Sequence, residues 1–330
     1  MVDKLAGANL SEADLRHFET EGYLIVRGLF AADEVEALRR NFAEMHAQRS
    51  IPGCFEALPI EEARRQGSIL KAYPRMMHPH RVNRLSMDYM LDPRVMDILA
   101  ALLGEEPIAA QSMFYWKPPG AEGQALHQDN FYLKVEPGTC IAAWTAIDDA
   151  DEENGGLFVV PKSQHEPIQC PHQADPSQSF TVDEVDVPEG LTPMPTTLKA
   201  GDVLFFNGSV IHGSYPNRSK DRFRRAFICH YAGESAEKIG NGTRRSITGR
   251  AKSSNGRTMR EAGRAAPNSP QPGRTESTYG LPVSPFRRMP RKRGDFQIPS
   301  FSCFVIDERD KHISKVYGLL NLSGKRQGLT

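Results

Sequence analysis

No stretch of this 330-residue chain approaches the roughly 18 to 20 consecutive apolar residues that a membrane-crossing helix needs, so none is expected. The opening residues 1–15 contain no apolar h-region, and no secretory leader is expected. Paired cysteines are missing too: the five present (Cys54, Cys140, Cys170, Cys229, Cys303) are odd in number, scattered and form no C-x-x-C unit. That excludes a disulfide framework and favours a reducing, cytoplasmic location with the thiols buried and inert. Net charge is absent as well, with 41 basic residues against 41 acidic. A neutral chain is not built as a whole to coat nucleic acid or an anionic membrane. No internal repeat is visible, and hydrophobic content, at 39%, is low enough to suggest that part of the chain is not core.

The neutral average hides two unlike materials. Residues 241–330 hold 18 Lys and Arg against 6 Asp and Glu, whereas residues 1–240 hold 23 against 35. Over 241–295 Gly, Ser, Arg, Pro and Asn dominate without apolar periodicity, a composition that cannot offset its ordering entropy. Residues 296–322 regain some apolar character without a clear partner. The expected organisation is therefore one domain over 1–240 and a basic, low-complexity, disordered or atypical tail over 241–330. No aromatic platform accompanies the tail's charges, which argues against a nucleic-acid partner.

Within 1–240 the pattern changes once. Ser11 and Asp14 have the spacing of a capping box, and Gly22 stops the short helix they open. Residues 23–30 read as a strand. Helical spacing returns through Val35, Leu38, Phe42 and Met45, and again from Asp92 through Val95, Ile98, Leu99, Leu102 and Leu103 to a stop at Gly104. From Ile108 onward the chain turns to short strands, expected at 108–116, 139–147, 156–160, 196–199, 202–206, 210–212 and 223–231, punctuated by Pro/Gly/Asn/Asp clusters. Many short strands with such punctuation indicate a barrel or sandwich backed by helices. Residues 166–195 read as a long insertion between strands.

The chemistry centres on His127-Gln-Asp129 and on His212, 85 residues after His127. On a strand or its edge, residues i and i+2 point to the same side, so His127 and Asp129 are expected to aim at one point. In a closed barrel a distant strand can bring His212 to the same interior. Two histidines and one carboxylate form the facial triad of non-haem iron(II) oxygenases. An H-x-D pair by itself falls at this spacing by chance in many proteins. The run after His212 adds weight: alternation over 223–231 places Arg224, Ala226, Ile228 and His230 on one face. A cation turned inward beside a metal is costly to bury unless it binds an anion, such as the distal carboxylate of 2-oxoglutarate. His230, on that face, is either cavity lining or a satisfied core histidine, with the core histidine as the default reading. His78-Pro-His80 is expected to be polar surface, His165 structural, and Asp148 and Asp149 turn-forming.

Several motifs agree in order with one known family. Gln111-Ser-Met-Phe-Tyr-Trp-Lys117, Gln124-Ala-Leu-His-Gln-Asp-Asn-Phe-Tyr132, Trp144-Thr-Ala-Ile-Asp-Asp149, Glu153-Asn-Gly-Gly156, Val160-Pro-Lys-Ser-Gln-His165, Gly201-Asp-Val-Leu-Phe-Phe206 and His212-Gly-Ser-Tyr-Pro-Asn-Arg218 resemble the phytanoyl-CoA dioxygenase superfamily, which also includes ectoine hydroxylase. The opening Glu21-Gly-Tyr-Leu-Ile-Val-Arg-Gly-Leu-Phe30 resembles it too, so the likeness covers about residues 1–240. It implies a mainly β fold with flanking helices, a double-stranded β-helix (jelly-roll, cupin-like) barrel. It implies Fe(II) on His127, Asp129 and His212, with 2-oxoglutarate as co-substrate and O2. Arg224 would bind the distal carboxylate with Ser214 in support, and Trp144 and Gln111 would line the cavity. The family's arginine often stands eleven residues after the second histidine. Here Phe223 is in that place and Arg224 is twelve along, which reads as one residue inserted in 217–222, with Arg225 and Arg222 as alternatives. Related halogenases replace the carboxylate ligand with a small residue, so Asp129 favours hydroxylation. The basic tail departs from the family, whose chains end soon after the strand matching 223–231. A small-molecule hydroxylase is the expected function. A zinc hydrolase on the same three side chains, or a non-catalytic barrel, is the alternative. No H-E-x-x-H helix is present to support the hydrolase.

Overall fold

The computed structural model describes residues 3–5, 10–240 and 247–248; apart from 247–248, the expected tail, Cys303 included, lies outside them. Local signals are obeyed at the start of the domain. Ser11 caps helix α1 (Glu12–Glu21), its Oγ accepting the Asp14 N–H at 3.2 Å while Asp14 accepts the Ser11 N–H at 2.7 Å. Gly22 ends the helix at φ 83°, a left-handed conformation that favours glycine. Strand β1 (Tyr23–Arg27) follows, then α2 (Ala32–Ala47), whose buried residues are Val35, Leu38, Phe42 and Met45. Helix α3 (Pro93–Leu103) runs from an Asp92 cap to Gly104.

The β-rich half supplies β2 (Pro107–Tyr115), β3 (Gln124–His127), the short helix α4 (Asp129–Leu133), β4 (Ile141–Ala146), β5 (Leu157–Val159), β6 (Val203–Asn207), β7 (His212–Ser214) and β8 (Ala226–Gly233). Five of these strands form one antiparallel sheet in the order β1–β6–β4–β8–β2. A smaller antiparallel sheet runs β5–β7–β3, with Met194–Pro195 on its β5 edge. Alternation splits the large sheet's side chains between two cores. Leu24, Val26, Ala143, Phe205, Phe227 and Tyr231 face the helices, where Phe42 stacks on Phe114 with ring centroids 3.8 Å apart. Ile25, Ala142, Trp144, Leu204, Phe206 and Ile228 face Leu157 and Val159 of the small sheet. Two facing sheets with helices on the outer face of the larger make the expected jelly roll.

Several expectations need correction. No strand spans 196–199; pairing falls instead at Met194–Pro195 and at a single Leu198–Ala150 bridge. The last strand begins at Ala226 rather than at 223, because the N–H groups before it bond elsewhere: Arg224 to the Lys117 carbonyl and Arg225 to Asp148. The 166–195 insertion is no plain loop. His172–Gln173 pairs with Asp183–Glu184, and the Val185 and Phe180 N–H groups bond to Leu126 and Gly123 along β3. His80 is buried, not surface, with its Nδ1 against Ser112 Oγ. Cys54, Cys140 and Cys229 are buried free thiols as expected, but Cys170 is exposed and disulfide-bonded, against the expectation of inert thiols. No described helix is long and apolar enough to cross a membrane.

Candidate active site

β3 and β7 are antiparallel neighbours, with His127 directly opposite His212 and a register shift between His212 and Ser214. Such cross-strand pairs bring side chains into contact, and the two imidazole centroids lie 4.2 Å apart. Each ring is fixed the same way, with Nδ1 on the carbonyl two residues earlier: His127 on Ala125 at 2.9 Å, His212 on Val210 at 3.1 Å. A carbonyl only accepts, so Nδ1 carries the hydrogen and the Nε2 lone pair of each ring is left for a ligand.

Asp129 reaches the same point by a different route from the strand geometry expected. β3 ends at His127, Gln128 keeps extended backbone, and Asp129 begins helix α4. The buried Gln128 side chain anchors this corner, donating to the Ser209 carbonyl and accepting from the Gln169 N–H, both at 2.9 Å. Asp129 then lies 3.5 Å from His127 Nε2 and 3.8 Å from His212 Nε2, with all three side chains at most 14% exposed. One ligand atom from each falls within 4.8 Å of the others, the one such His/Cys/Asp/Glu group among the described residues. His78 and His80 are not part of it.

Electrostatics suits a cation at this point. Burial and the neighbouring His127 lower His212 to about 4, so its imidazole is neutral and can donate its lone pair. Burial alone would raise Asp129. The imidazoles of His230 and His212, with a hydrogen bond from His230, outweigh it and hold the carboxylate well below its ordinary range. Two imidazoles and an ionised carboxylate are the donor set that a divalent first-row metal takes.

The three side chains open on a cavity of about 420 Å³, whose lining also includes Gln111, Trp144, Ser214 and Arg224. Arg224 is 2% exposed; its Nε donates to the Gly155 carbonyl at 2.9 Å, and its Nη1 is buried without a partner. Its guanidinium carbon lies 5.4 Å from the Trp144 ring centre. Burial lowers Arg224 to about 10, still protonated at neutral pH. The other two arginines are engaged outside the cavity: Arg225 grips Asp148 with two bonds of 2.7 Å, and Arg222 grips Asp151 at 2.9 and 2.7 Å. Asp149 bonds Lys199 and the Ala200 N–H, so both aspartates shape turns as expected.

His230 takes the cavity-lining alternative rather than the default core role. It lines the cavity, its Nε2 is 2.9 Å from Asp129 Oδ2, and its buried Nδ1 has no partner. Lys117 and Gln124 escaped the sequence reading altogether. Gln124 Nε2 lies 3.1 Å from His127 Nε2, and Lys117 Nζ donates to Ser214 Oγ at 2.7 Å. The only signal for either was its place inside a motif already noted, since no local pattern says where an amine or amide turns. Arg75, Tyr115, Tyr132 and Phe180 complete the outer lining.

Known proteins resemble the chain along this same stretch. The profile of the phytanoyl-CoA dioxygenase (PhyH) family matches residues 18–226. Phytanoyl-CoA dioxygenase domain-containing protein 1 of Bos taurus is 30% identical over 264 residues, covering 68% of this chain and 90% of that one. The peroxisomal phytanoyl-CoA dioxygenase of Rattus norvegicus is 25% identical over 241 residues, 70% of each chain. Among solved structures, the epimerase SnoN in complex with Fe3+, alpha-ketoglutarate and nogalamycin RO superposes with a TM-score of 0.53 at 20% identity, covering 68% of this chain and 84% of its own. EctD from S. alaskensis with 2-oxoglutarate and 5-hydroxyectoine gives 0.53 at 20%, covering 69% and 77%. At those identities the structural likenesses speak for the fold.

Proposed function

Because this chain belongs to the phytanoyl-CoA dioxygenase family, we propose that it is an iron(II)- and 2-oxoglutarate-dependent dioxygenase that hydroxylates a C–H bond of a small molecule. The observation that carries this reading is Arg224. A buried guanidinium with an unpartnered Nη1, in one cavity with two imidazoles and a carboxylate, fits the distal carboxylate of a dicarboxylic acid whose other end meets a metal. Zinc hydrolysis on the same three ligands would give that guanidinium no task.

His127 Nε2, the Asp129 carboxylate and His212 Nε2 would hold the iron. The chemistry supplied by iron bound there would be the coupling of O2 to the oxidative decarboxylation of 2-oxoglutarate to succinate and carbon dioxide, and so to oxidation of the substrate. The protein's own side chains position and shield. The Ala125 and Val210 carbonyls lock both imidazoles in the ligating tautomer. Trp144 backs the Arg224 guanidinium, and Leu157, Phe206 and Ile228 keep water from the inner cavity. Substrate selection falls to the outer lining, where Tyr115, Tyr132 and Phe180 offer aromatic faces.

Anaerobic titration of metal-free protein with iron(II) and then 2-oxoglutarate tests the reading through the weak visible charge-transfer band of the chelate. The band is expected with wild type and lost in His212→Ala. In Arg224→Ala, iron should stay bound while half-saturation by 2-oxoglutarate rises on the order of a hundredfold, the scale of losing charged hydrogen bonds. An effect of that size from Arg225→Ala instead would transfer the role to Arg225. Iron binding without any response to 2-oxoglutarate would return the site to the hydrolase or silent-barrel alternatives.

A further inference from the structure

Lys117 is 1% exposed, yet among the described residues its ammonium contacts no carboxylate. Its Nζ donates to Ser214 Oγ at 2.7 Å and to the Tyr215 carbonyl at 2.6 Å. The Lys117 carbonyl accepts the Arg224 N–H at 3.0 Å and Asn217 Nδ2 at 2.9 Å, so one residue braces both Ser214 and Arg224. The lysine stem runs past Gly155, where a Cβ would collide with Lys117 Cδ, and the Gly155 carbonyl accepts from Arg224 Nε. The path for this side chain is thus built by a residue that has none.

An ammonium donates and never accepts. Ser214 Oγ therefore receives a hydrogen from Lys117, and its own O–H turns away from the lysine. Ser214 lines the cavity; Lys117 stands behind it and does not. We propose that Lys117 is a positioning residue for the co-substrate: it fixes the Ser214 hydroxyl as a donor toward the carboxylate held by Arg224, and it adds a second positive charge behind that carboxylate. This rests on the dioxygenase reading above. Burial and the nearby Arg224 push the Lys117 amine well down from its ordinary range and outweigh the opposing charge of Glu122, so its charged form calls for a further anion within reach. A carboxylate between Arg224 and Ser214 is such an anion, and it offsets both costs.

The test compares two ligands by anaerobic titration of the iron(II)-loaded full chain: 2-oxoglutarate, and 2-oxopentanoate, which has the same carbon skeleton without the distal carboxylate. Lys117→Met should weaken 2-oxoglutarate roughly ten- to a hundredfold while leaving 2-oxopentanoate, iron affinity and melting temperature little changed. Lys117→Gln, which keeps an N–H donor without the charge, should recover part of the loss. Ser214→Ala should weaken 2-oxoglutarate selectively by itself and add little on top of Lys117→Met. An unchanged 2-oxoglutarate affinity in Lys117→Met, or an equal loss of both ligands, overturns the proposal. If Lys117→Met does not fold, Lys117→Gln and Ser214→Ala carry the test, and an unaltered ratio between the two ligands in both overturns it. Absence of any 2-oxoglutarate response in wild type would fell the dioxygenase reading itself. A normal wild-type response with indifferent variants fells only the role of Lys117.

Discussion

Asp129 meets three imidazoles, and only two of them were expected. His230 holds Oδ2 at 2.9 Å and so decides how the carboxylate is oriented toward any ion between His127 and His212. Partners that orient a ligand commonly contribute ten- to a hundredfold in metal affinity. His230→Ala is expected to weaken iron(II) binding by about that factor, read by competition with a chelator of known affinity, while His127 and His212 remain in place. An unchanged affinity would leave His230 as cavity lining alone. Sequence reading could put His230 on the right face by counting alternate residues from Arg224. It could not give the imidazole a partner, because Asp129 lies 101 residues away and reaches it only through the corner that Gln128 builds.

Elements were legible where their signals are local and obscure where a neighbour sets them. The α1 capping box and the buried stripe of α2 follow from spacing alone. The start of α2 does not: Ala31 precedes it and has no side chain to cap with, and Glu34 reaches back instead to the Ala31 N–H at 2.8 Å. Arg94 of α3 clasps the same carboxylate at 2.6 Å, tying α2 to α3, and that hydrogen bond chiefly lowers the Glu34 pKa from 4.5. A carboxylate lowered in the folded state stabilises it above the unfolded value, and the stabilisation is lost as pH falls through the folded one. Glu34→Gln should therefore cost about 1 kcal/mol at neutral pH, a modest figure because Arg94 is 38% exposed. In denaturant titrations the gap from wild type should close as pH falls below about 4.5. A gap independent of pH would mean that the carboxylate's charge is not its source, and no gap at all that the amide caps as well as the carboxylate. On β2 the obstacle to reading was a bulge: pairing with β8 slips between His230–Gln111 and Tyr231–Ala109. One extra residue there resets the alternation, so Gln111, Met113 and Tyr115 face the cavity while Ala109 joins the helix-side core.

At the scale of the molecule, the jelly roll and the meeting of His127, Asp129 and His212 were foreseeable because ordered motifs carried them. The small sheet's exact pairing and the folded-in insertion were not, since both depend on contacts between distant segments. Phe180 to Asp183 of that insertion reach the cavity only because their flanks bond along β3. An ion held between His127 and His212 bridges two hydrogen-bonded strands whose residues stand 85 positions apart. A ligand that binds only the native state stabilises it by about 2.7 kcal/mol at a hundred times its dissociation constant. Adding iron(II) anaerobically to the apo-protein should raise its melting temperature, and a chelator should reverse the rise. His212→Ala should show no such response, and a response retained in that variant would remove His212 from the ligand set.

The facing pair on β3 and β7 has a consequence for the protein's life in a cell. Where a prosthetic ion also fastens a sheet, loading and longevity are one variable: scarcity of iron would deplete the enzyme through turnover as well as idle it, and the pool that survives would be the pool able to work.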